Sequence, residues 1–171
     1  MVPIALAANA RWRNDGRTFT MAQQIDGIAG LKSKVGEHIG YSDWHQITQE
    51  QINLFADATG DHQWIHVDPE RAASGPFGTT IAHGYLTMSL IPMLLEQVLS
   101  VSGVSMAINY GANKVRFPSP VPSGSKVRLG ATLAGVEEIQ GGAQSLVDIT
   151  IETEGSTKPS LATQIVFRYY E

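Results

Sequence analysis

The chain has 171 residues, of which 43% are hydrophobic and 16% charged, and its formal net charge is −4. A chain of this length fits one domain with a sizeable core, and an acidic chain without a basic block is a poor candidate for nucleic-acid binding. It has no cysteine, which excludes disulfides, thiol catalysis and thiolate metal sites and is compatible with a cytoplasmic location.

The N-terminal segment differs in texture from the rest of the chain. An apolar stretch, residues 1–10, precedes Arg11 and Arg13, which reverses the order found in a secretory signal. No window of the sequence has the continuous apolar length that crosses a membrane, and we expect no membrane partner. We expect residues 1–20 to be a loosely ordered leader and residues 21–171 to form the domain.

Two helix signals flank the most informative segment of the chain. Thr48 and Gln51 have the pattern of a capping box, and Gly60 is suited to end the helix that follows them. Asp68 and Pro69 have the pattern of an N-cap and a first helical residue. The segment between Gly60 and Asp68 is therefore predicted to be an irregular turn.

This turn carries an aspartate and a histidine five positions apart, Asp61 and His66. A carboxylate and an imidazole held together on a turn can position and deprotonate a water molecule, which is general acid–base chemistry. Each also fits a structural role, since Asp beside Gly commonly caps a turn and a lone histidine is commonly a satisfied structural group. His62 and His66 have the spacing of zinc ligands on a helix, but the turn after Gly60 argues against a helix. We expect no metal.

The second half of the chain changes from a helical to a strand pattern. Apolar residues on nearly every face predict a long buried helix from His83 to about Val101, with a kink or break near Ser89 because of Pro92. Alternating residues and short turns then predict four strands, at 105–117, 126–139, 144–154 and 160–170. The expected fold class is α+β, with a curved antiparallel sheet wrapped around a long central helix.

Two motifs resemble the MaoC-like hydratase and dehydratase family, and within it the NodN-like branch. They are residues 55–69, FADATGDHQWIHVDP, and residues 81–86, IAHGYL. The family pattern is Gly-Asp-x-Asn-Pro-aliphatic-His-x-Asp-Pro, with a later His-Gly that opens the central helix. The resemblance extends from about Lys34 to the C-terminus.

The resemblance implies a hot-dog fold and an activity on acyl thioesters of coenzyme A or of an acyl carrier protein. The implied reaction is reversible hydration of trans-2-enoyl-CoA to (R)-3-hydroxyacyl-CoA, without a cofactor. Asp61 and His66 match the catalytic pair of the family, and Gly84 matches the glycine whose N–H contacts the thioester oxygen. A homodimer is also expected, because a short sheet leaves an edge that a second copy usually pairs.

The motif departs from the family pattern at two positions. Gln63 stands where the family has Asn, and Trp64 stands where it has Pro. Gln63 can still hydrogen-bond around the site, and we expect it to support the pair together with Gly60. His83 is a candidate for a supporting polar group as well, but the sequence favours a simple N-cap position for it. Trp64 adds bulk that can change acyl-chain selection, and we expect it in the substrate pocket with Tyr85.

Several alternatives stay open at the level of sequence. Lys114 and Arg116 alternate before Phe117 and are candidates for contacts with the phosphates of coenzyme A, or else form an exposed cationic face. A hot-dog thioesterase would attack the carbonyl carbon instead of C3, and a non-catalytic acyl-thioester-binding protein would keep the fold alone. The sequence does not identify the formal base, the acyl-chain length, the carrier or the physiological direction.

Overall fold

The computed structural model describes the backbone of residues 10–12 and 18–20 and all of residues 22–171. Two short strands, β1 (Ala10–Trp12) and β2 (Thr18–Thr20), pair antiparallel. The rest of the expected leader, within residues 1–20, lies outside the described residues, and its loose order stays a prediction. Among the helices described, none has the length and apolar character needed to cross a membrane.

The remaining elements alternate at first and then become a run of long strands. In chain order they are β3 (Gln23–Asp26), α1 (Gly27–Ser33), β4 (His38–Tyr41), β5 (His45–Gln46), α2 (Gln49–Thr59), α3 (Trp64–Val67), α4 (Pro69–Ala73), α5 (Gly84–Ser89), α6 (Ile91–Leu95), β6 (Leu99–Ser102), β7 (Met106–Arg116), β8 (Lys126–Ile139), β9 (Gly142–Thr153) and β10 (Leu161–Tyr170). The four predicted strands correspond to β7 to β10, and β8 has the predicted bounds.

The main sheet is antiparallel and has the order β4-β8-β9-β10-β7, with β5 also paired to β8. Alternate side chains of the strands point from one face of this sheet into the core. Among them, Leu129, Leu133, Ile149 and Ile151 are completely or almost completely buried. Leu94 of α6 belongs to the same core cluster. The predicted α+β class, with a sheet covering a central helix, is therefore confirmed.

The central helix is shorter than predicted and is divided in two. It is interrupted at Leu90, beside the predicted break at Ser89, because Pro92 lies in the first turn of α6 and has no N–H to donate. The prediction that it continues to about Val101 is wrong, since β6 pairs in parallel with β3. The predicted burial holds for Leu86, Leu94 and Leu95, but Tyr85 is 70% exposed, so one side of the helix is open.

Candidate active site

Helix α2 ends where the candidate site begins. The predicted capping box is present: the Gln51 N–H donates to Thr48 Oγ1 at 3.2 Å, and the Thr48 N–H donates to Gln51 Oε1 at 3.1 Å. Gly60 closes the helix as predicted, in the left-handed conformation with φ of 79°. Asp61 follows directly and places its carboxylate on an exposed turn.

His66 lies on a single helical turn, α3, and not on an irregular turn throughout as predicted. Gln63, in an extended conformation, starts this turn, and its carbonyl accepts the His66 N–H at 2.9 Å. Asp68 then caps α4 as predicted, accepting the Arg71 N–H at 3.0 Å, with Pro69 in the first turn. These short helices turn the His66 side chain inward, where it is 7% exposed.

The tautomer of His66 follows from its hydrogen bond. Its Nδ1 lies 2.7 Å from the carbonyl oxygen of Ile81, which can only accept, so Nδ1 donates. In the neutral ring, Nε2 therefore carries the lone pair. Burial lowers the pKa of His66 and the neighbouring His83 lowers it further, against the hydrogen bond to Ile81 and the charge of Asp61, which raise it. The imidazole is thus a neutral hydrogen-bond acceptor at neutral pH.

The structure brings Asp61, His66 and His83 together. One side-chain oxygen or nitrogen atom from each residue lies within 4.8 Å of the other two. The alternative role of Asp61 as a turn cap is also visible, because its Oδ1 accepts the Gln63 N–H, but at 3.4 Å this contact is long. The exposed carboxylate keeps further lone pairs that can accept hydrogen bonds beside His66.

The geometry of this cluster does not suit a metal ion. The His66 and His83 rings are stacked, with centroids 3.8 Å apart and planes inclined by 25°. Imidazole lone pairs lie in the ring plane, so two nearly parallel stacked rings do not converge on one ion about 2 Å from each nitrogen. His62, the other histidine of the zinc-like spacing, is exposed, and its Nε2 lies 2.9 Å from Asp57 Oδ1.

A cavity of about 350 Å³ adjoins the cluster. His66 and Gly84 both line it, together with residues that the sequence analysis missed: Phe77, Ile81, Ala82, Thr87, Phe117, Pro118, Ser119, Pro120 and Val121. The proline-rich turn after Phe117 is the sequence feature that could have indicated this wall of the cavity. One member of the candidate pair, His66, and the candidate thioester contact, Gly84, therefore line the same cavity.

Gly84 is closely packed against Phe117. A Cβ at this position would lie 3.0 Å from three atoms of the Phe117 ring, which is tighter than ordinary carbon contacts. Gly84 is also the first residue of α5, where main-chain N–H groups lack partners within the helix. Because α5 has six residues, its dipole contributes less than the long predicted helix would.

The two expected pocket residues take other positions. The Trp64 indole lies under the Arg71 guanidinium, 4.4 Å from Cζ to the ring, and against Gly75, so it does not line the cavity. The Tyr85 ring is also outside the cavity, edge-on to Phe117 with centroids 6.0 Å apart. Both touch residues near the wall, but the structure does not place them in it.

Lys114 and Arg116 lie at the end of β7, next to the cavity wall at Phe117. The strand has an irregularity here, since Asn113 pairs with Gln164 but Arg116 pairs with Ala162. Lys114 adopts a positive φ of 54° within it. Both cationic side chains are exposed.

Comparisons with known proteins agree with the motifs. A family model described as "MaoC like domain" matches residues 31–155. The 3-hydroxyacyl-thioester dehydratase Z of Mycobacterium tuberculosis (strain ATCC 25618 / H37Rv) is 59% identical over 146 residues, 85% of this chain and 97% of that protein. Nodulation protein N of Rhizobium leguminosarum bv. viciae is 43% identical over 138 residues, covering 78% and 85%. The solved (R)-hydratase from A. caviae involved in PHA biosynthesis has a TM-score of 0.65 and 26% identity, covering 78% and 94%.

Proposed function

The chain belongs to the MaoC-like hydratase and dehydratase family, and from this we propose that it catalyses the reversible, (R)-specific hydration of a trans-2-enoyl-CoA to the (R)-3-hydroxyacyl-CoA. Membership makes it a hydro-lyase with a hot-dog fold, as the resemblance of its motifs implied. The names of two relatives, a 3-hydroxyacyl-thioester dehydratase and an (R)-hydratase, support an acyl thioester substrate and an (R) product.

The observation that carries the proposal is that an acid–base pair lies beside a cavity. Side-chain atoms of Asp61 and His66 approach within 4.8 Å, and His66 lines the same cavity as Gly84. An Asp61 carboxylate and a neutral His66 with its lone pair on Nε2 are both acceptors. Such a pair is suited to hold the two hydrogens of one water molecule.

In the proposed reaction, the oxygen of this water attacks C3 of the enoyl thioester. Asp61 or His66 takes one proton from the water, and the electron pair of the C2–C3 double bond moves toward the thioester carbonyl, which becomes an enolate. A proton is then returned to C2 on the same face, so that one water is added and both side chains end as they began. Either residue fits the formal base.

The enolate oxygen needs a hydrogen-bond donor, and the N–H of Gly84 is proposed for this role. A glycine lets the thioester approach the backbone closely, and Gly84 lines the cavity with His66. Loss of one such donor typically costs about 3 kcal/mol, or on the order of a hundredfold in rate. No cofactor takes part in this scheme, because proton transfer and charge stabilisation are sufficient for it.

Coenzyme A is the proposed carrier, and a homodimer is the proposed assembly. Lys114 and Arg116 put two positive charges beside the cavity wall, where phosphates of the carrier would be attracted. Among the described residues, β7 pairs with β10 on one side, while its Tyr110 is 58% exposed. An apolar edge strand of this kind is suited to pair with a second copy.

The proposal is tested by following the absorbance of the enoyl-thioester band of crotonyl-CoA. The parent protein should consume the band and give (R)-3-hydroxybutyryl-CoA, identified by chiral analysis. Asp61→Asn and His66→Gln should each lower kcat by about 10²- to 10⁴-fold, because each removes a group that handles the water proton. His62→Gln is the matched control, since His62 is an exposed neighbour bonded to Asp57, and it should behave like the parent.

Other results would contradict this proposal in distinct ways. Release of free thiol without loss of the enoyl group would identify a thioesterase. Absence of turnover by the parent with short and long enoyl chains on either carrier would favour the non-catalytic binding protein. Nearly full activity of Asp61→Asn or His66→Gln would remove that residue from the catalytic pair.

A further inference from the structure

His83 is a buried histidine that contacts both members of the proposed catalytic pair. Its side chain is 3% exposed. Its Nε2 lies 2.9 Å from the main-chain oxygen of Asp61, and because a carbonyl only accepts, Nε2 donates. Its ring stacks on His66 at 3.8 Å and lies 5.0 Å from the ring of Phe55.

Packing alone does not explain a histidine at this position. Since Nε2 carries the proton, Nδ1 carries the lone pair of the neutral ring, and it is buried without a hydrogen-bond partner among the described residues. Burial of an unpaired polar atom is destabilising. An apolar ring would fill the space between Phe55 and His66 without that cost, so the feature of His83 that packing does not supply is the hydrogen bond from Nε2 to Asp61.

We propose that His83 is a positioning residue of the active site, which holds the main chain of Asp61 through its N–H and the plane of the His66 ring through stacking. This role rests on the proposed function of the pair. It goes beyond an N-cap position, because the His83 side chain makes no capping hydrogen bond to α5.

The need for such a residue follows from the position of Asp61. It lies on an exposed turn immediately after α2. Its carboxylate accepts a long hydrogen bond from the Gln63 N–H, and its main-chain oxygen accepts the bond from His83. His66, in contrast, is fixed by its short bond to Ile81. His83 thus joins the exposed Asp61 to the buried His66. A misplacement of about 1 Å in such a site can cost on the order of 100-fold in rate.

Two variants separate the hydrogen bond from the stacking. His83→Phe keeps an aromatic ring over His66 but has no N–H, whereas His83→Gln keeps an N–H at the end of a side chain of similar reach. We expect His83→Phe to lower kcat for crotonyl-CoA hydration about 10- to 100-fold, with KM within about twofold of the parent. His83→Gln should recover most of the lost kcat. His45→Gln, at a half-buried histidine bonded to Gln51, should leave kcat unchanged.

A second readout does not depend on activity. In nitrogen-15 spectra, the Asp61 amide and the His66 ring nitrogens should shift in His83→Phe and return toward their parent positions in His83→Gln, while both variants keep the parent's unfolding temperature within a few degrees. Unchanged kcat in His83→Phe, or an equal loss in both variants, would overturn the positioning role. If the parent does not hydrate crotonyl-CoA, the proposed function fails. The spectra still test the positioning role in that case, because unchanged Asp61 and His66 signals in His83→Phe would contradict it.

Discussion

At the residue scale, the fold sets the chemical state of His66. Its Nδ1–H is bonded to the Ile81 carbonyl, so Nε2 is the nitrogen that would accept a proton from water in the proposed reaction. Burial has the largest effect on its pKa and, together with the neighbouring His83, lowers it below the ordinary value of 6.5. A neutral acceptor is what a general base requires, and the same burial makes the protonated form costly.

This lowered pKa predicts a loss of stability in acid. Between the ordinary value of 6.5 and the lower folded pKa of His66, the unfolded chain binds more protons than the folded one, so the free energy of unfolding falls as pH falls through this window. Urea unfolding at pH 8 and pH 5.5 measures the difference. His66→Gln should lose less stability than the parent over this interval, and an equal loss in the two proteins would contradict the assignment.

At the element scale, α3 and the loop after α4 form one wall of the site. Trp64 packs so closely on Gly75 that a Cβ there would lie 3.1 Å from two indole carbons. The same loop carries Phe77, which lines the cavity, and is followed by Ile81, whose N–H bonds the Ile65 carbonyl at 3.0 Å. Trp64 thus contacts the cavity wall from behind, through the loop.

Trp64→Ala should loosen this loop. We expect the free energy of unfolding to fall by about 2 kcal/mol, roughly half the cost for a fully buried Trp, and KM for the enoyl thioester to rise as Phe77 becomes less well placed. Urea unfolding and steady-state kinetics measure the two effects. Trp44→Ala is the matched control, because Trp44 is also partly exposed and lies 4.8 Å from an arginine, Arg128.

The control should lose stability but keep the parent KM. A rise in KM for Trp44→Ala equal to that for Trp64→Ala would show that the effect is general. An unchanged KM for Trp64→Ala would contradict a role of this residue in shaping the cavity.

At the scale of the whole molecule, apolar side chains remain exposed along β7 and on the divided central helix. On β7 they are Met106, Ile108 and Tyr110, and on the helix they are Tyr85 and Met93. Exposed apolar patches of this kind mark association surfaces. The cavity residue Phe117 follows β7 directly, so a partner chain on this edge would approach the proposed active site.

A charge on this edge should prevent the proposed dimer. We expect the parent to sediment as a dimer at micromolar concentration and Ile108→Lys to sediment as a monomer, because a lysine on an edge strand opposes pairing. Leu54→Lys is the control, since Leu54 is exposed on α2, away from the edge. A parent monomer, or a dimer of Ile108→Lys as stable as that of the parent, would count against this assembly.

Much of the fold and part of the site could be predicted from local sequence signals. The capping box of Thr48 and the left-handed glycine Gly60 were predicted correctly, because each depends on contacts within a few residues. The alternating residues that predicted β8 also alternate in burial over its first half, because alternate side chains of a strand face opposite sides. The spacing of Asp61 and His66 indicated an acid–base pair, and the family motif assigned the fold.

Other features were decided only by tertiary contacts. The length of the central helix depended on β6 pairing with the distant β3, and the close packing at Gly84 depended on Phe117 lying against it. The Trp64 side chain lies outside the cavity because it packs against Gly75 and under the Arg71 guanidinium. The contact of His83 with both Asp61 and His66 likewise joins separate segments. The sequence alone determined the local conformations and the chemical groups, whereas their orientation required the tertiary structure, because side-chain direction is set by packing between residues far apart in the chain.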